Sequence, residues 1–195
     1  MKIVQLTYKS ANCYLVPGKE GWVMIDTGWP DTFSQLLQLL YQNNIPVNEV
    51  DYLIITHFHP GHAGLTQNLK DLGTNLILHE SQLPYFNRLN TFYKKNPRAN
   101  FKDITNNNNI ALTNSSSRSF FESIGINGEL LSTPGHSDDS VTLVLDEECA
   151  FIGDLPTVFK PEEYNTVIAD SWRMIQQKKV KTIYPGHGAP FEIED

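Results

Sequence analysis

Apolar positions along the chain change their period several times. Lys2 to Tyr8, Ala11 to Val16 and Gly21 to Asp26 are short β-rich runs, and Pro17-Gly18-Lys19-Glu20 between the last two reads as a hairpin turn. Phe33, Leu36, Leu37, Leu40 and Tyr41 then recur at the i, i+3, i+4 spacing of a helix with one buried face. Asp31 stands where a cap is expected, and Asn43-Asn44-Ile45-Pro46 ends the pattern. Val50 to Thr56 is a continuous apolar run, as in a strand covered on both faces. It runs directly into His57-Phe58-His59-Pro60-Gly61-His62. Ala63 to Leu72 reads as a helix ended by Gly73, and Asn75 to Leu78 as a strand. The order to this point is β-β-β-α-β-α-β.

Between about residues 79 and 128 the pattern weakens. Ser81 to Leu89 reads as a helix with Pro84 in its first turn, and Arg118 to Ile124 as another. Lys94 to Asn109 is polar and ends in a run of asparagines, and the whole of about 79–128 is expected to form an insertion or lid. Order returns with strands at Glu129 to Ser132, Val141 to Leu145 and Cys149 to Ile152, the last two joined by Asp146-Glu147-Glu148. Pro161, Glu162 and Glu163 suit the start of a final helix, and Lys178, Lys179 and Lys181 its end. A last strand, Thr182 to Tyr184, leads into Pro185-Gly186-His187-Gly188.

Composition narrows the classes. The chain has 195 residues, is 40% hydrophobic and carries a formal net charge of −7, which suits one globular domain over 1–195 and argues against a nucleic-acid backbone as the main partner. No run approaches the roughly 18 to 20 apolar residues of a membrane span, and Met1 to Tyr8 has no apolar leader core. A cytoplasmic location and a small-molecule substrate are therefore expected, with the oligomeric state open. Two cysteines, Cys13 and Cys149, fall within strands and read as small core residues.

The histidines change the picture. His57, His59, His62, His136 and His187, together with Asp154, each follow a strand end, where a rigid sheet holds functional side chains. Singly, each reads as a turn residue. Together they form a set of imidazole and carboxylate donors suited to zinc or a similar ion. His79 belongs to no such group and reads as a strand-end surface residue. Asp138 and Asp139 read as an acidic cap on the turn after His136, with approach to a metal as the other reading. Trp29, Phe58, Tyr85, Phe86, Phe92 and Tyr93 suit either a pocket wall or core packing.

Thr56-His57-Phe58-His59-Pro60-Gly61-His62 resembles the T-H-x-H-x-D-H signature of the metallo-β-lactamase superfamily. Thr133-Pro134-Gly135-His136-Ser137, Gly153-Asp154, Pro185-Gly186-His187-Gly188 and, upstream, Asp26-Thr27-Gly28 are similar to its other motifs, in order. The resemblance implies an α/β fold, the four-layer αβ/βα sandwich of that superfamily, with metals at one edge between two sheets. It implies that His57, His59 and His136 hold a first metal, that His62 and His187 face a second, that Asp154 bridges them, and that Asp26 orients the ligands. Asp154 and His62 are then the residues expected to take part in catalysis.

One position departs from the signature: its aspartate is Gly61 here, which removes a carboxylate from the second site. A well-filled first site and a weaker second one are expected, with zinc as one or two ions and iron or manganese as alternatives. A Gly61→Asp replacement is expected to raise the second site's occupancy. The resemblance implies hydrolysis of a small ester, lactone, thioester or phosphoester by a metal-bound hydroxide. Two further readings use the same residues: a one-iron enzyme of the persulfide-dioxygenase type on His57, His136 and Asp154, and a non-catalytic metal-binding domain.

Overall fold

The computed structural model describes residues 2–97, 100–157 and 166–193. Two sheets face each other. The first has the order β1-β2-β3-β4-β5-β6, from β1 (Val4–Tyr8), β2 (Ala11–Pro17), β3 (Trp22–Ile25), β4 (Val50–Ile54), β5 (Asn75–His79) and β6 (Asn109–Leu112). The second runs β11-β10-β9-β8-β7, from β7 (Gly128–Ser132), β8 (Val141–Leu145), β9 (Cys149–Gly153), β10 (Thr182–Pro185) and β11 (Phe191–Glu192). Helix α1 (Phe33–Gln42), the short α2 (Pro60–Ala63) and α3 (Thr66–Lys70), α4 (Arg88–Lys95), α5 (Asn114–Ser123) and α6 (Thr166–Gln176) are the α-helices of the described residues, and 3-10 turns lie at Val47–Glu49 and Glu80–Tyr85.

Strand periodicity explains the layering. Successive residues of a strand face opposite sides, so a strand covered on both faces feeds two cores. In β3, Val23 and Ile25 enter the space between the sheets, while Met24 faces the helices. In β4, Leu53 faces the helices and Ile54 the other sheet. In β9, Phe151 points between the sheets, and Ala150 and Ile152 point to Trp172 and Ile175 of α6. Leu36 and Leu40 of α1 and Leu69 of α3 cover the first sheet from outside. The result is the αβ/βα four-layer sandwich.

Parallel pairs β3–β4, β4–β5, β5–β6 and β9–β10 send their carboxyl ends to one edge. In open parallel sheets such an edge is where ligands bind, because the loops leaving it can converge.

Several local expectations change. Thr32, not Asp31, is the residue before α1; Asp31 instead accepts the Asn100 backbone N–H at 2.9 Å. Tyr41, placed on the buried face by its spacing, is exposed. The helix read over Ala63 to Leu72 is two short ones, separated at Gly64 and Leu65, where the Gly64 N–H turns to the Gly28 carbonyl and Leu65 leaves the helical region. Ser81 to Leu89 is a 3-10 turn over Glu80–Tyr85 followed by α4, which extends into the stretch read as polar loop. Within 79–128, β6 is built into the first sheet and Phe121 of α5 into the inter-sheet core. The expected helix start at Pro161, Glu162 and Glu163 lies outside the described residues. Among the described residues no helix is long and apolar enough to cross a membrane.

Candidate metal centre

All six predicted ligand residues meet at that edge. The segment after β4 brings His57 and His59, and α2 begins at Pro60 and carries His62. His136 lies between β7 and β8, Asp154 directly follows β9, and His187 follows β10. His59 Nδ1 and His136 Nε2 are 3.1 Å apart. Asp154 Oδ2 lies 3.2 Å from His62 Nε2, 3.4 Å from His187 Nε2, 3.7 Å from His136 Nε2 and 3.8 Å from His57 Nε2. Two ligand atoms on a tetrahedral ion at about 2.0–2.1 Å are about 3.3 Å apart. The donor spacing is on that scale.

Three imidazoles are turned so that Nε2 faces inward. Asp26 Oδ2 accepts the His62 Nδ1–H at 2.8 Å and the Thr56 hydroxyl at 2.7 Å, and Oδ1 accepts the Thr56 backbone N–H at 2.8 Å. Because that hydroxyl donates to Asp26, it is left to accept the His57 Nδ1–H at 3.1 Å. His187 Nδ1–H donates to the Ser10 carbonyl, in the turn between β1 and β2. Asn12 fixes the same loop by donating to the carbonyls of Pro185 and Gly188. Such contacts set ring orientation and tautomer in metal sites.

The fit to a metal rests on two buried atoms. His57 Nε2 and Asp154 Oδ1 have no hydrogen-bond partner although both are buried. Buried polar atoms rarely stay unpaired, and an ion between these donors removes the penalty. His57 is also neutral: burial first, then the charges of its imidazole neighbours, push it well below its ordinary value. Burial opposes charge on His62 too, but Asp26 and Asp154 outweigh it and raise the ring to about 10. Asp154 stays ionised, since the hydrogen bond from His62 and the nearby imidazole charges outweigh its burial.

Two glycines permit the approach. Gly153 has φ +55, and a Cβ there would lie 2.5 Å from Thr56 Oγ1. A Cβ on Gly186 would lie 2.5 Å from Asp154 Oδ1 and 2.7 Å from His62 Cε1.

The centre opens into a cleft of about 440 Å³ walled by Trp29, Phe58, Leu89 and Phe92, with Arg88 at its side. Of the other aromatics, Phe86 is buried against Phe58, Tyr93 stacks on Phe101, and Tyr85 faces a separate depression. A polar hollow of about 410 Å³ lies at the opposite strand ends, around Trp22, Asp51 and Asn75.

Two residues differ from their sequence reading. His79 is buried, not on the surface: its Nδ1 accepts the Ser81 N–H and so caps the 3-10 turn, and its Nε2 pairs with Asn114 Oδ1. Asp139 is fully buried, but its carboxylate accepts the Phe58 N–H at 2.6 Å and pairs with Arg88 at 3.2 Å, so it braces the His57–His59 loop from behind. Asp138 is exposed. Neither joins the donor clusters His57–His59–His136 and His57–His62–Asp154. Arg88 and Leu89 fall at the end of the helix read over Ser81 to Leu89, but no local pattern shows that this end turns toward the cleft. The Ser10 carbonyl left no side-chain signal at all.

A two-sheet αβ/βα sandwich with nitrogen and oxygen donors at one sheet edge defines a class of metal-binding folds. Residues 6–187 match the metallo-beta-lactamase superfamily, and the chain belongs to it. It is 31% identical to a lactamase-like protein nscB from Arthroderma gypseum over 94% of this chain and 52% of that protein. It is 27% identical to an atrochrysone carboxyl ACP thioesterase from Aspergillus fumigatus over 95% of this chain and 39% of that protein. The chain spans about half the length of the first of these curated relatives. Its fold is similar to that of a metallo-beta-lactamase family protein, TTHA1429, from Thermus thermophilus, with TM-score 0.72, 21% identity and coverage of 97% of this chain and 74% of that one.

Proposed function

We propose that the chain is a metal-dependent hydrolase that cleaves an ester or thioester with an apolar acyl part. The observation that carries this reading is one open cleft in which the imidazole and carboxylate donors adjoin the apolar wall of Trp29, Phe58, Leu89 and Phe92. A donor set of nitrogen and oxygen alone suits zinc, and iron or manganese can use the same atoms. When bound, such an ion polarises a carbonyl oxygen and lowers the pKa of a coordinated water from ~15.7 toward about 7.

The protein's own part is orientation and proton handling. His57, His59 and His136 would hold the ion of the working enzyme, while His62, His187 and the shared Asp154 leave a weaker second position. Asp154 Oδ2, which lies 3.2–3.8 Å from the Nε2 atoms of His62, His187, His136 and His57, is the carboxylate oxygen placed to be shared between ions and to accept a proton at the centre. His62 keeps that carboxylate in place from 3.2 Å. The apolar wall would hold the acyl group against the centre and thin the water around it. A relative named as an acyl-carrier thioesterase supports the thioester side of the reading.

A panel of acyl p-nitrophenyl esters, acyl thioesters, lactones and bis(p-nitrophenyl) phosphate tests it, before and after chelation and zinc return. Ester or thioester turnover that is lost on chelation, restored by zinc and absent in His57→Ala is expected. Activity that survives chelation, turnover of the phosphodiester alone, or oxygen uptake by an iron form without hydrolysis overturns it.

A further inference from the structure

The loop after β3 carries a feature that the ligand set does not use. Trp29 lies across Gly61: a Cβ built on Gly61 would stand 3.3 Å from Trp29 Cε2 and 3.4 Å from both Cζ2 and Nε1. Any side chain at position 61 therefore points into the indole. We infer that Trp29 decides whether a carboxylate at position 61 can add a ligand to the second cluster, because its indole fills the space any side chain there would enter. This rests on the metal-binding part of the proposed function and concerns residues that part does not employ.

The backbone on both sides is fixed, so the obstruction is not relieved by a small loop shift. Thr27 donates its N–H at 2.7 Å and its hydroxyl at 2.8 Å to the His62 carbonyl. Gly64 N–H donates to the Gly28 carbonyl at 2.9 Å, and the Tyr8 hydroxyl donates to the Thr27 carbonyl. Gly28 sits at φ +76 with its Cα against the Tyr8 ring, and Pro30 is wedged on Gly64. What can move is the indole, which is 39% exposed. An alanine at 61 needs a shift of a few tenths of an ångström. A carboxylate needs the ring to leave, and it then loses its packing on the α2 backbone.

Two changes are thus required for a second strong site: a carboxylate at 61 and a small side chain at 29. The expectation for Gly61→Asp alone changes accordingly. Neither replacement by itself adds a ligand with room to reach the cluster. The indole also becomes part of the cleft wall beside His62 and His187, so an apolar surface stands where the superfamily signature has a charge.

Zinc content per folded chain tests this, measured by mass spectrometry after equilibration at one buffered free-zinc level, on wild type, His57→Ala, Gly61→Asp, Trp29→Ala and Trp29→Ala/Gly61→Asp. One ion is expected in wild type and both single variants, two in the double variant, and a loss in His57→Ala. Two ions in wild type or in Gly61→Asp alone, or one in the double variant, overturns the role of Trp29. No zinc in wild type overturns the metal reading beneath it. Should the double variant fail to fold, the emission of Trp29, isolated by subtracting spectra of matched Trp29→Phe chains, gives an independent reading. Gly61→Asp is expected to shift it to the red as the ring is pushed into solvent, and an unchanged emission overturns the inference.

Discussion

Asp26→Asn is the most informative perturbation of the ligand frame. Asp26 is 2% exposed, at φ +59, and takes three donors: the Thr56 N–H and hydroxyl and His62 Nδ1–H. An asparagine keeps one acceptor oxygen. If that oxygen faces the hydroxyl and the imidazole, the amide nitrogen meets the Thr56 N–H; if it faces the N–H, two donors meet the nitrogen. Either way a buried donor is unsatisfied, at a cost of about 1–3 kcal/mol. His57 depends on the same frame through Thr56, and His62 directly, so zinc affinity should fall about 10- to 100-fold, which is roughly 1.4–2.7 kcal/mol. Urea melts report the first effect, and competition with a chromophoric chelator the second. Asp138→Asn, an exposed change beside the same loop, is the control and should leave both unchanged. Wild-type zinc affinity in a folded Asp26→Asn chain would refute the claim that Asp26 orients these imidazoles.

Three other outcomes follow from the same contacts. In the metal-free chain, His62 keeps its proton to about pH 10, against 6.5 for an ordinary histidine. Its contribution is full below 6.5 and is lost as pH rises through 10, so urea midpoints of metal-free protein should fall across that range, and His62→Asn should flatten the slope. Asp139→Asn weakens the hold on the Phe58 N–H and on Arg88, and should cost about 1–3 kcal/mol in melts while also lowering zinc affinity; zinc binding as in wild type would show that the Phe58 contact does not position His57 and His59. Phe92→Ala removes one wall of the cleft and should raise KM on the order of tenfold for a long-chain acyl ester, from about 1.5 kcal/mol of lost apolar burial, while an acetyl ester and the zinc content stay unchanged.

Strands such as β2, β5, β8 and β9 were legible because they are covered on both faces and so read as apolar runs, while their stacking into four layers was implied by the superfamily resemblance. The histidine segments were legible because glycine and proline set them off at strand ends. What escaped depends on contacts distant in sequence. β6 is four residues beside an asparagine run and becomes a strand only by pairing with β5. α4 was read only to Leu89, because the residues after it grade into a polar stretch; Asn90 is nonetheless buried, its amide pairing with the N–H and carbonyl of Ile104. His79 reads as surface because no local pattern reveals Asn114 as its partner. Gly61 was legible as a departure from the signature, whereas the indole covering it belongs to another loop and emerged only from the fold.

Everything proposed for this chain depends on His57, His59 and His136 holding an ion at the sheet edge. Anomalous diffraction from zinc-loaded crystals, collected on both sides of the zinc absorption edge, tests it most directly. A peak is expected within about 2.0–2.1 Å of His57 Nε2, His59 Nδ1 and His136 Nε2. A folded, zinc-equilibrated chain with no peak among those three atoms, or with its only peak elsewhere, would contradict it.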